Sequence, residues 1–119
     1  EELSDTSALG YDHNYAVRSS ALEGGPEEVM AAGPVAVLSD PASGRTLELF
    51  TDQPGLQFYS GNFLNGATGK GGEVYAHRSG CCLETQGYPN AINEPGFPSV
   101  LLMPGEEYRQ FTVHRFLAN

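Results

Sequence analysis

Residues 11–17 alternate aromatic or apolar side chains (Tyr11, Tyr15, Val17) with Asp12, Asn14 and Ala16, the period-two pattern of a strand. Residues 45–51 place Leu47, Leu49 and Thr51 on one face, and Pro54-Gly55 turns the chain into a further strand over residues 56–61. Asp40-Pro41-Ala42-Ser43-Gly44 is a strong turn signal after the small, apolar residues 29–38, which Gly33-Pro34 interrupts. Residues 81–86 are apolar enough for a central strand although Glu84 lies inside it. Residues 108–117 alternate most clearly, and shorter strands are predicted at 74–75 and 100–103. Between them, residues 19–28 with Gly24-Gly25-Pro26 and residues 62–72 with their Asn and Gly read as exposed loops. Pro89, Pro95, Gly96 and Pro98 mark a stiff, irregular connection. No internal repeat interrupts this order, so the pattern predicts an all-β chain of antiparallel strands with long loops.

Composition sharpens that picture. Gly 15 and Pro 8 in 119 residues exceed the roughly 12% usual for the pair, which makes turns frequent and long helices improbable. Six Lys+Arg against 15 Asp+Glu give a net charge of −9, so clustered cations able to meet a phosphate backbone or an anionic membrane are missing. No nucleic-acid partner is therefore expected, and no membrane partner, since no apolar run approaches the roughly 18 residues of a span. The chain opens at Glu1-Glu2-Leu3 without an initiator Met, so it is expected to be processed or a piece of something longer. Cys81 and Cys82 are adjacent, and neighbours on a strand point to opposite faces, so they are expected as free thiols acting as small buried fillers. Free thiols favour a reducing, cytoplasmic setting.

Three polar residues stand inside strand patterns. Glu84 sits within Cys-Cys-Leu-Glu-Thr-Gln, where a strand is at least half buried, and an unpartnered buried carboxylate costs several kcal/mol. It is either the wet face of a one-sided sheet or a general base in a concave polar pocket, with Gln86 on the same face. Asp12 lies among Tyr11, His13, Asn14 and Tyr15, and Gln57 among Leu56, Phe58 and Tyr59. Each has a structural reading alone, but together with Glu84 and the nearby rings they suggest recognition of sugar hydroxyls. His13, His77 and His114 lack the close spacing of a metal set, so no metal is expected. Gly69-Lys70-Gly71-Gly72 lacks the spacing of a phosphate-binding loop.

Longer strings carry a resemblance. Gly10-Tyr11-Asp12-His13-Asn14-Tyr15, the run from Gln53-Pro54-Gly55 through Gln57-Phe58-Tyr59 to Asn62-Phe63-Leu64, and Cys82-Leu83-Glu84-Thr85-Gln86-Gly87-Tyr88-Pro89 appear in order. With Pro98-Ser99-Val100-Leu101-Leu102-Met103-Pro104-Gly105-Glu106-Glu107-Tyr108 they resemble the aldose 1-epimerase (galactose mutarotase) family over residues 10–117. The resemblance implies the C-terminal third of a β-supersandwich, present as a single segment over residues 1–119, with an aldohexose as substrate and no cofactor. It puts the catalytic base on Glu84 and sugar binding on Asp12 and Gln57. It also implies that the general-acid His and other sugar-lining residues belong to the N-terminal part of such proteins, a role His13 does not fill. The chain alone is then expected to be inactive and to associate with that missing part or another polypeptide. A non-catalytic carbohydrate-binding or accessory subunit keeping the same sandwich is the rival reading. A glycosidase is a third, but it needs a second carboxylate in an equally suggestive context.

Overall fold

The computed structural model describes residues 10–18 and 25–118. Among the described residues eight strands and one α-helix follow in chain order, besides short 3-10 turns: β1 (Asp12–Ala16), α1 (Pro26–Ala31), β2 (Ala36–Asp40), β3 (Arg45–Thr51), β4 (Gly55–Tyr59), β5 (Ala67–Thr68), β6 (Val74–Tyr75), β7 (Cys82–Gln86) and β8 (Thr112–Ala118). Strands dominate in the order β1-β4-β7, β2-β3-β8 and β5-β6, an all-β architecture as the alternation predicts. None of the described helices is long and apolar enough to cross a membrane. The chain divides into two compact units. One holds the described residues up to Tyr15 with Leu56–Glu84, and the other those of Ala16–Gly55 and Thr85–Asn119.

In the second unit β3 pairs antiparallel with β2 on one side and β8 on the other, with Phe50 opposite Val113 and Leu47 between Leu38 and Phe116. Alternation puts Phe50 on one face, where Val29 of α1 is buried against it and Met30, Phe111 and Val113 close around the pair. Arg115 lies 5.1 Å over the Phe50 ring while its guanidinium pairs with Glu48. Leu49 is fully buried on the opposite face. Further along that second face the row Leu38–Leu47–Phe116 opens to solvent.

The end of β3 is tied down by polar bonds. The Thr51 hydroxyl donates to the Phe111 carbonyl at 3.1 Å and meets the Thr112 hydroxyl, which in turn meets Thr85 of β7. Asp52 is buried, and its carboxylate accepts the Phe111 N–H at 2.9 Å and the Gln53 side-chain amide at 3.0 Å. A buried carboxylate is tolerated when its lone pairs are used in this way.

The β2–β3 hairpin closes through the expected turn. Asp40 accepts the Ala42 and Ser43 N–H groups, and Gly44, at φ +70°, returns its N–H to the Asp40 carbonyl. Hydrogen bonds from the Ser43 side chain and then the Ala42 N–H hold the exposed Asp40 carboxyl below its ordinary pKa. A carboxyl depressed in the folded state stabilises it above the unfolded value of about 3.9, and that contribution is lost as pH falls through the lower folded value. The difference in melting temperature between the natural chain and Asp40→Asn is therefore expected to be constant above about pH 5 and to shrink in more acidic buffer. A difference that stays flat through the acid range contradicts this account of the turn.

Several expectations need correction. Residues 26–31 are a helix, which takes in the end of the loop expected over 19–28 and the start of the apolar segment 29–38: Pro26 suits the first helical position, the Glu28 carboxylate accepts the Gly25 N–H at 3.0 Å, and Gly33 at φ +89° followed by Pro34 ends it. Residues 19–24 of the expected loop lie outside the described residues. The loop over 62–72 contains β5, which pairs with β6, so residues 74–75 are a strand as expected. Residues 100–103 are not a strand: they are exposed, and no described strand pairs with them. The last strand begins at Thr112 rather than 108, because the Phe111 N–H is taken by the Asp52 side chain instead of a ladder. β7 stands at one end of its sheet order rather than in the centre. Cys81 and Cys82 are free, as expected, but exposed instead of buried, since β7 has a strand neighbour on one side only.

Candidate functional site

Bonds flanking β1 and β4 fix their antiparallel register. Val17 donates its N–H to the Pro54 carbonyl at 2.8 Å, and Ser60 to the Tyr11 carbonyl at 3.0 Å. Counting inward, Asp12 stands opposite Tyr59 and Asn14 opposite Gln57, so these four side chains share one face. Tyr11, His13 and Phe58 fall on the other, where the Tyr11 ring lies 5.1 Å from Phe58 and 6.1 Å from His13. His13 Nδ1 accepts the Asp12 N–H at 3.0 Å, which places that ring nitrogen in a backbone contact away from the polar face.

On the polar face the Gln57 side-chain amide donates to Asp12 Oδ1 at 2.7 Å. The bond joins two residues 45 apart in sequence and turns two isolated polar positions into one polar pair. Asp12 is exposed and Gln57 half-buried, so the pair presents acceptors and an amide to an incoming ligand.

The loop after β4 is locked from several sides. Tyr11 donates its N–H to Ser60 Oγ at 2.9 Å, Ser60 Oγ donates to Asn62 Oδ1 at 2.7 Å, and Asn62 Nδ2 donates to the Tyr11 carbonyl at 2.7 Å. The Arg78 N–H reaches the Gly61 carbonyl at 3.0 Å, and His77 Nδ1 donates to the Asn62 carbonyl at 3.0 Å. Gly10, at φ +91°, has no room for a side chain because a Cβ there would collide with Asn62 Oδ1 and Ser60 Oγ. Gly61, at φ +69°, is excluded from substitution by the Gly80 carbonyl.

Glu84 lies on β7, the strand next to β4 in the sheet order, and belongs to the same compact unit as Asp12 and Gln57. The expectation of a concave, buried pocket around it is not met within these 119 residues, where Glu84 is exposed. Its strand alternates as expected: Leu83 and Thr85 are half-buried and face away from it. A cleft of about 490 Å³ lined by Asp52, Gln53, Gly87, Leu101 and Tyr108 contains none of the three predicted site residues. Among the described residues no three His, Cys, Asp or Glu side chains gather as a metal set would.

Sequence reasoning missed the Ser60–Asn62–Tyr11 lock and the buried Asp52. Gly61-Asn62 carried a turn signal, but bonds spanning about 50 residues leave no periodic trace.

The family model for aldose 1-epimerase matches residues 2–115. Galactose mutarotase of Homo sapiens is 48% identical over 117 residues, covering 98% of this chain and 32% of that protein. The Rattus norvegicus galactose mutarotase is 49% identical over 108 residues, 90% of this chain and 29% of its own length. Aldose 1-epimerase of Escherichia coli (strain K12) is 45% identical over 74 residues, 60% of this chain and 21% of its own length. The chain thus spans about a third of the length of the relatives it matches.

Proposed function

The chain belongs to the aldose 1-epimerase family, and from that premise we propose that it carries the base and two hydroxyl-binding side chains of a mutarotase acting on an aldohexose. The observation that supports the reading is the 2.7 Å bond between Gln57 and Asp12, which brings two of the three predicted residues together beside the strand of the third.

Interconverting anomers requires the hemiacetal to open. The Glu84 carboxylate takes the proton from the anomeric hydroxyl, the freed electron pair forms the C1 carbonyl, and the C1–O5 bond breaks toward the ring oxygen. A proton must reach O5 as it leaves, which calls for a group of opposite protonation state. Rotation about C1–C2 and reversal of the steps give either anomer and return the proton from Glu84. Asp12 and Gln57 hold the remaining hydroxyls so that the sugar turns about C1–C2 without leaving. The proton donor for O5 lies outside these 119 residues in this reading. Exposure of Glu84 in the chain fits a site completed by further polypeptide and by the sugar itself.

Removing either hydroxyl-binding side chain leaves ligand hydroxyls or the partner side chain unpaired. Asp12→Ala and Gln57→Ala are each expected to weaken D-galactose binding by about 1–3 kcal/mol, measured by titration of a family-length chain carrying this segment. Natural affinity in both variants removes this face from the sugar site.

A further inference from the structure

The cleft of about 490 Å³ that holds none of the predicted sugar residues lies within a single compact unit. Its walls are apolar, chiefly Pro98, Val100, Leu101 and Leu102, and Asp52, Gln53 and Tyr108 supply polar groups. Asp52 is only 8% exposed, yet among the described residues no Lys, Arg or His forms an ion pair with it, and none lines the cleft. Its carboxylate accepts the Gln53 amide on one oxygen and the Phe111 N–H on the other, so each oxygen keeps a lone pair. With the Gln53 amide nitrogen engaged by Asp52, Gln53 Oε1 remains as an acceptor. Tyr108 donates its hydroxyl proton to Gln110 Oε1 at 2.8 Å, so it faces Gln53 Oε1, 3.4 Å away, with lone pairs.

These three side chains therefore offer acceptors and a negative charge. A sugar brings acceptors as well as donors and matches such a set poorly. A guanidinium brings a positive charge and a planar fork of N–H donors with no acceptor, and the methylene stem of arginine suits the apolar walls. An ammonium carries the same charge, but as a strongly hydrated point it does not span several acceptors at once. Free arginine would bring its own carboxylate to an acidic cleft on a chain of net charge −9, a cost that arginine within a polypeptide avoids. The exposed residues 100–102 beside the cleft, which pair with no described strand, leave apolar surface for the chain that carries it.

We propose that this cleft is a docking site for an arginine side chain of another polypeptide, its guanidinium held by Asp52, Gln53 and Tyr108 and its stem packed on Val100, Leu101 and Leu102. The test uses a family-length chain carrying this segment, with N-acetyl-L-arginine N-methylamide as the probe. Calorimetric titration is expected to show saturable binding, and the ¹³C carboxyl signal of Asp52 to move along the same curve. The lysine counterpart is expected to bind roughly tenfold more weakly, and the uncharged citrulline counterpart more weakly still. Asp52→Asn keeps a carbonyl for the Phe111 N–H but loses the charge, so arginine binding is expected to fall about ten- to hundredfold. Tyr108→Phe alters an exposed side chain and is expected to cost roughly two- to tenfold with the fold intact. The proposal is overturned by absence of saturable binding, by equal binding of the three capped compounds, or by a still Asp52 signal. Unchanged arginine binding in Tyr108→Phe, or in Asp52→Asn that folds, overturns it as well. Tighter binding of free L-arginine than of the capped compound makes the occupant a free amino acid and ends the polypeptide assignment.

Discussion

Glu84→Gln, placed in a family-length chain carrying this segment, is expected to lower the mutarotation rate by roughly 10²- to 10⁴-fold, the range for loss of a positioned general base. The amide has the shape of the carboxylate and can still meet the anomeric hydroxyl, but it cannot take its proton. Binding of galactose is therefore expected to persist while turnover is lost, a split that separates a base from a residue that merely shapes the site. Polarimetry on freshly dissolved α-D-galactose reads the rate, and titration reads the affinity. A variant as fast as its parent removes Glu84 from the chemistry and favours the non-catalytic sugar-binding reading, in which the same face holds a hexose without opening its ring.

Phe50→Ala is expected to destabilise the 119-residue chain by about 3–5 kcal/mol. Phe50 is almost completely buried, and it joins Val29 of α1 to Phe111, just before β8, and Val113 within it. Truncation removes that contact from three segments at once and leaves Arg115 without the ring beneath it. Domain stabilities are commonly about 5–15 kcal/mol, so a loss of this size takes a large part of the whole. Urea unfolding measures it, and Phe50→Leu, which keeps most of the volume, is expected to lose less than Phe50→Ala. An unfolding midpoint for Phe50→Ala equal to that of the natural chain contradicts the placement of the core on this face of β3.

The strands that carry the site were legible because their alternation is local. Tyr11, Asp12, Asn14 and Tyr15 show the pleat of β1 without reference to the rest of the chain, and Leu47, Leu49 and Thr51 do the same for β3. The α1 helix escaped because six residues cannot display a helical period, and Gly25-Pro26, which reads as a loop, is the helix start. The predicted strand at 100–103 failed for the converse reason: its apolar side chains fit a strand, but a strand also needs a neighbour to bond, and none of the described strands supplies one. The polar interruptions at Asp12 and Gln57 mark one face of their strands, and only the fold brings the two within 2.7 Å. Glu84 was expected to be buried from its apolar flanks. Its exposure follows from the position of β7 at the end of its sheet order, which the flanking residues do not encode.

The central claim is that three strands present one sugar site, and side-chain NMR tests it most directly. With a family-length chain carrying this segment labelled with ¹³C and ¹⁵N, the carboxyl carbons of Asp12 and Glu84 and the side-chain amide of Gln57 are followed as D-galactose is added. The account predicts that all three signals move along a single saturation curve. Movement of Asp12 and Gln57 while Glu84 stays still would contradict it, as would the absence of any shift at all three.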